Sequence, residues 1–224
     1  MMSLKENKEA VFKAVNEATL SAGRSEDSVS IIAVTKYVDS DIARQLVDTG
    51  VRHIAENRVD KFLDKYKALK DCQLTWHLIG SLQRRKVKDV INYVDYFHAL
   101  DSVSLAKEIQ KRAEHPINCF LQVNVSGEES KHGFAPEEVS HVLDQLADYD
   151  QIRLIGLMTM APFEADQSTI AEIFKETNQL RQRLQAENRK NMPFTELSMG
   201  MSNDFPIAIQ EGATFVRIGT SFFK

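Results

Sequence analysis

Three places in the chain bring together side chains that chemistry needs. The first is Lys36, in the stretch "SIIAVTKYVD" at 30–39. Ile31 to Val34 read as a buried strand, and strand alternation puts Ile32, Val34 and Lys36 on one face, with Ala33 and Thr35 on the other. An amine whose stem extends an apolar row is partly desolvated, loses some preference for its charged form, and becomes a nucleophile towards a carbonyl. A rim lysine paired with a carboxylate is the plainer reading of the same residue. The second place is "LSMGMSNDF" at 197–205, where Gly200, Met201 and Ser202 lead into a short helix. Pro206 suits its first turn, and Ser202, Asn203 or Asp204 its cap. The third is "FVRIGTSFF" at 215–223, where alternation aligns Phe215, Arg217 and Gly219 on one face and leaves Val216 and Ile218 on the other. An inward guanidinium must find a partner, because an unpaired buried charge is costly. That partner is an acid such as Glu196 on the neighbouring strand, or a ligand's ring nitrogen or phosphate.

These residues have to be held by elements, and the chain alternates regularly. Strand patterns run over 31–36, 53–57, 74–79, 96–100, 119–125, 152–158, 195–199 and 215–219. Helical faces lie between them: Val59, Phe62, Leu63 and Tyr66, then Val87, Val90, Ile91 and Val94, then Leu105, Ile109 and Ala113. Val139, Val142, Leu143 and Leu146 continue the series, followed by Ile170, Ile173, Phe174, Leu180 and Leu184. A helix opened by a capping box, Ser3 with Glu6, precedes the first strand, and Gly23 ends it. Eight strands separated by helices predict a single (β/α)8 barrel over 1–224, with one extra N-terminal helix. An open doubly wound sheet is the competitor, but the turn after the first strand, "TKYVDSD", has no glycine.

Composition limits the partners. The 224 residues are 43% hydrophobic and 27% charged, with net charge −4, which points to neither nucleic acid nor an anionic membrane. The N-terminus is charged and lacks the apolar core of a signal peptide. Cys72 and Cys119 are far apart and match no metal-ligand spacing, so a reducing, cytoplasmic setting is expected.

A barrel of this kind places its active site at the C-terminal ends of the strands. Lys36, Asn57, His77, Asp101, Asn124, Met158, Ser198 and Gly219 are therefore expected around one mouth. The loops after strands seven and eight carry Gly200 with Ser202, and Gly219, Thr220 and Ser221. Barrels often bind phosphate there, on backbone N–H and hydroxyl groups. A carbonyl-seeking lysine, a phosphate cup and an inward arginine together suit pyridoxal 5′-phosphate (PLP).

With those residues in view, the chain resembles the pyridoxal phosphate homeostasis proteins, a family that includes the YggS and PROSC proteins. The resemblance runs through "AVTKYV", "AENRVDKF", "WHLIGSLQRRK", "HALDS", "VNVSGEESKHGF", "GLMTMAP", "LSMGMSNDF" and "VRIGTSFF". It implies the PLP fold type III barrel of alanine racemase without the second, C-terminal β domain. It also implies PLP held as an internal aldimine on Lys36, with Asn57 and His77 lining the ring and Arg217 facing the pyridine nitrogen. Gly200, Met201, Ser202, Gly219 and Thr220 would hold the phosphate. Ala55 stands where the family usually has glycine, and the chain ends sooner after "SFFK" than the family's usual tail.

The resemblance further implies a carrier in vitamin B6 homeostasis, with weak or absent catalysis. Its partners would be the cofactor and apo PLP-dependent enzymes as recipients, with no nucleic acid or membrane, and its state a monomer. Racemisation needs an acid and a base on opposite faces of the cofactor. In alanine racemase one of them is a tyrosine supplied through the second domain. Tyr37 adjoins Lys36 but points away by alternation, and an arginine at the pyridine nitrogen weakens the ring as an electron sink. A racemase or decarboxylase of unknown substrate is the alternative, with His77 or Lys131 as the missing base; Lys131 is otherwise a solvated loop lysine. "QRRKVK" at 83–88 reads as a solvated helix face, His53, His98, His132 and His141 as isolated histidines, and Asp101 as a helix cap beside Ser102.

Overall fold

Inward and outward rows of apolar residues on all eight strands leave no solvent face, and the sheet closes on itself. The computed structural model describes residues 3–128 and 132–224. Its strands are β1 (Ser30–Val34), β2 (His53–Glu56), β3 (Thr75–Leu78) and β4 (Tyr96–Leu100), then β5 (Ile117–Gln122), β6 (Ile152–Met158), β7 (Glu196–Met201) and β8 (Phe215–Ile218). They form a closed, all-parallel barrel in sequence order, and β8 pairs β1 through Ser30↔Phe215, Ile32↔Arg217 and Ala33↔Ile218. That closing ladder excludes the open sheet. The strand segments fall where alternation predicts them, with shifted ends. Most consequentially, β1 stops at Val34, so Lys36 sits in a turn two residues beyond it, while β7 runs on through Gly200 to Met201.

The helices are α1 (Leu4–Ser21), α2 (Ser40–Asp48), α3 (Val59–Ala68), α4 (Val87–Val90), α5 (Val103–Arg112), α6 (Val139–Leu146), α7 (Gln167–Ala186) and α8 (Phe205–Gln210). The capping box of α1 is present, with Ser3 and Glu6 bonding each other's backbone N–H. Asn7 on α1 is buried and donates to the carbonyls of Phe222 and Lys224 at 3.0 and 2.8 Å. The extra helix therefore pins the chain end that leaves β8. The face at 83–94 buries Val87, Val90, Ile91 and Val94, but only one turn of it is α-helical. Among the described residues, no helix is long and apolar enough to cross a membrane.

Candidate functional site

At the C-terminal mouth, the ends of β1, β7 and β8 lie side by side. Lys36 is exposed in the turn after β1, so the partial desolvation read from a strand position is not found there. Alternation also stops applying past Val34. Tyr37 is 80% exposed but does not point away, and the Lys36 Nζ lies 4.9 Å from the centroid of its ring. Thr35, the residue before Lys36, is anchored to β2. Thr35 N–H donates to the Ala55 carbonyl at 3.0 Å, and Thr35 Oγ1 donates to the buried carboxylate of Glu56 at 2.8 Å.

The loops after β7 and β8 meet as expected. Thr220 Oγ1 lies 3.4 Å from Ser202 Oγ, joining the two across the mouth. Gly200 is buried with φ +97°, and a Cβ there would come within 2.6 Å of the Ala208 methyl on α8. Only glycine lets the strand turn this tightly over the helix. Met201 is exposed and ends β7, and its N–H donates to Asp204 Oδ1 at 2.6 Å. Asp204 is the residue that precedes α8, but its carboxylate closes the preceding loop rather than capping the helix. Burial raises its pKa, against the Met201 N–H and the charge of Arg217. Gly219 packs on the end of β1: a Cβ built there would sit 3.6 Å from the Val34 side chain.

Arg217 points into the barrel, as alternation requires, and is buried. Its partner is not Glu196. Nη1 donates to Ser198 Oγ at 2.6 Å and Nη2 to the Thr159 carbonyl at 3.3 Å. Burial pulls its pKa down to about 10, with Asp204 acting in the opposite sense. Asn57 follows β2 directly and is partly exposed. Gly80, after β3, comes so close that a Cβ would lie 2.0 Å from the Asn57 carbonyl oxygen.

His77 departs most from the sequence reading. It is fully buried, stacked 4.8 Å from Tyr96, with both ring nitrogens engaged, and it does not line the mouth. The tilt and stagger of barrel strands put C-terminal residues of different strands at different heights. Met158 and Ser198 likewise lie buried inside the barrel, whereas Asp101 and Asn124 are partly exposed. Ser202, Gly219, Thr220, Gly200 and Met201 are thus brought together with Lys36 and Arg217, with Asn57 beside them and His77 below. Lys131 lies outside the described residues. Asp101 does not cap α5; Ser102 does, and Asp101 lies 3.8 Å from His132, with its own pKa raised by burial.

Sequence reasoning missed a line of groups through the barrel. His53 Nδ1 is 2.9 Å from His77 Nε2, His77 Nδ1 is 2.9 Å from His98 Nε2, and His98 Nδ1 is 2.7 Å from Ser198 Oγ. Burial holds His77 and His98 well below the usual histidine pKa, and each is lowered further by a neighbouring imidazole. The missed signal is the recurrence of histidine on consecutive strands, each at an inward position. Among the described residues, no group of acidic, histidine and cysteine side chains could hold a metal ion.

The residues present fit PLP: an exposed primary amine, a two-loop hydroxyl and glycine cup, and a donor-only guanidinium on the strand that leads into one of those loops. Comparison with known proteins agrees. Residues 18–224 match the alanine racemase N-terminal domain family. The chain is similar to the pyridoxal phosphate homeostasis protein of Aquifex aeolicus, 40% identical over 95% of this chain and 94% of that one. It is also similar to that of Pseudomonas aeruginosa, 34% identical over 100% and 96%. Among solved structures, PipY of Synechococcus elongatus with PLP bound superposes with TM-score 0.83 at 33% identity, covering 94% of this chain and all of that one. An alanine racemase from Clostridium difficile, at 16% identity and TM-score 0.71, shares the barrel over 56% of its length.

Proposed function

The chain belongs to the pyridoxal phosphate homeostasis protein family, and on that premise we propose that it binds PLP at the barrel mouth and serves intracellular vitamin B6 balance. The observation that supports this reading is the ladder joining β1 to β8 through Ala33↔Ile218, which brings the turn carrying Lys36 and the loop that begins at Gly219 out of neighbouring strand ends. Lys36 would hold the cofactor through its amine, the group in this set that can react with an aldehyde. Gly200, Met201, Ser202, Gly219 and Thr220 would hold the phosphate, Arg217 the pyridine nitrogen, and Asn57 the ring. A donor-only guanidinium opposite that nitrogen disfavours its protonation, which suits storage over carbanion chemistry. The chain acts as one barrel domain, a monomer in the cytoplasm that passes PLP to apo enzymes.

Borohydride reduction of the PLP-loaded protein, followed by peptide mass analysis, tests this. The pyridoxyl mass is expected on the peptide holding Lys36, and Lys36→Ala should lose it. Equal trapping in Lys36→Ala would sink the covalent assignment. Catalysis on an amino acid is the second reading, favoured by the Tyr37 ring beside Lys36. His77, fully buried with both ring nitrogens engaged by His53 and His98, does not serve as the base in this reading. Holoprotein incubated with amino acids in deuterated water should leave their α-protons unexchanged; fast exchange would favour the enzyme.

A further inference from the structure

Behind Arg217 the interior line runs through Ser198, His98 and His77 to His53, which opens β2 at the opposite end of the barrel and is half-buried. Such a line has two proton arrangements, because each neutral imidazole donates from one nitrogen and accepts at the other. In one, Ser198 donates to His98 and every ring carries its proton on Nε2. In the other, every ring carries it on Nδ1 and His98 donates to Ser198.

Two features select the first. Ser198 is wholly buried, and its hydroxyl oxygen has two partners, Arg217 and His98. Arginine can only donate, so a Ser198 proton not given to His98 would be buried unused, which native structures avoid. The second feature is electrostatic. With protons on Nε2, the hydroxyl and all three rings direct their negative ends towards the guanidinium, and the positive end emerges at His53. Burial lowers the His53 pKa, and the charge of Asp95 acts in the opposite sense there.

We propose that Ser198, His98, His77 and His53 are positioning residues for Arg217, a line of aligned neutral dipoles that solvates the buried guanidinium and fixes its aim at the mouth. The buried Asp204 carboxylate also acts on Arg217 through its charge but is engaged by the Met201 N–H and makes no hydrogen bond to the guanidinium, so the line supplies the direct side-chain partner that an inward arginine requires. The aim at a pyridine nitrogen rests on PLP being the ligand; the proton positions do not.

Long-range proton–nitrogen NMR of the 15N-labelled protein, without added cofactor, distinguishes the tautomers. Neutral rings protonated on Nε2 are expected at His53, His77 and His98 near pH 7.5. A proton on His98 Nδ1, or an imidazolium at His77 or His98, would overturn the proposal. Titration with PLP, followed by its visible band, tests the positioning role. Ser198→Ala should weaken binding roughly tenfold, the loss of one hydrogen bond to a charged group, and shift the band. Ser198→Thr, which keeps the hydroxyl, should restore both. Unchanged affinity and spectrum in Ser198→Ala would overturn the positioning role. If that variant does not fold, the wild-type tautomers decide. If the wild type binds no PLP, the ligand assignment falls and the tautomer result stands.

Discussion

The ammonium of Lys65 on α3 donates to the carbonyl of Thr35 at 2.9 Å, and that carbonyl belongs to the peptide leading into Lys36. Lys65 is also paired with Glu56, both side chains being buried, while Thr35 Oγ1 donates to the same carboxylate oxygen. A lysine on the outer helical layer thus fixes the backbone that carries the proposed PLP amine. Glu56 Oε2 is buried without a partner, so this carboxylate depends on Lys65 and Thr35 for its compensation.

Removing one member of that pair should therefore cost far more than removing a surface ion pair. Lys65→Met is expected to destabilise the fold by about 3–5 kcal/mol, because it strands a buried carboxylate. Urea unfolding measures this. The double variant Lys65→Met with Glu56→Leu should recover most of the loss, since the stranded charge is then absent. A single variant within about 0.5 kcal/mol of wild type, the usual range for surface substitutions, would show that the pair is not buried in solution.

Gly200→Ala combines a left-handed backbone with a contact to Ala208 that cannot open without moving α8. A loss of about 1–3 kcal/mol follows from strain and overpacking together. The loop carrying Ser202 should shift with it, so PLP binding should weaken by more than the stability change alone explains. Equilibrium unfolding and cofactor titration on the same variant separate the two effects.

Gly80→Ala acts on Asn57. The added methyl would overlap the Asn57 carbonyl, so one of the two loops must retreat. Stability should fall by about 1–3 kcal/mol. The exposed lysine amine should still be trapped by borohydride, because Lys36 lies on the other side of β2. Affinity for PLP should drop, and an unchanged affinity would remove Asn57 from the cofactor's surroundings.

The buried imidazoles give stability a pH dependence with a definite sign. In the folded state His77 and His98 stay neutral well below the ordinary histidine range, and His53 is lowered too. The unfolded chain binds protons at those rings from about pH 6.5 downward while the native state does not, so stability is full above that pH and falls as acid is added. Each ring contributes up to about 1.4 kcal/mol per pH unit below it. Asp101 and Asp204, whose folded pKa values are raised, act oppositely but nearer the ordinary carboxylate range. Urea midpoints at pH 8.0 and 5.5 should differ accordingly, and His98→Gln should lessen the slope. A flat profile would mean that the rings are protonated inside the fold.

Local patterning alone was enough to determine the eight strands, the two faces of β1 and β8, the capping box at Ser3 and the inward turn of Arg217. Those features follow from periodicity within a few residues, which a reader of the chain can count. Lys36 and the two glycine-containing loops were visible for the same reason, since residue type and place at a strand end suffice. Height within the barrel and contact between distant segments belong to the tertiary structure. His53, His77 and His98 are separated by whole strand–helix units, and only the stagger of the closed sheet brings their rings within hydrogen-bond reach. That stagger also lowered His77 from the rim into the interior, and the packing of α3 on β2 brought Lys65 beneath Lys36. Each of these depends on where neighbouring elements lie in three dimensions, a quantity that no local repeat encodes.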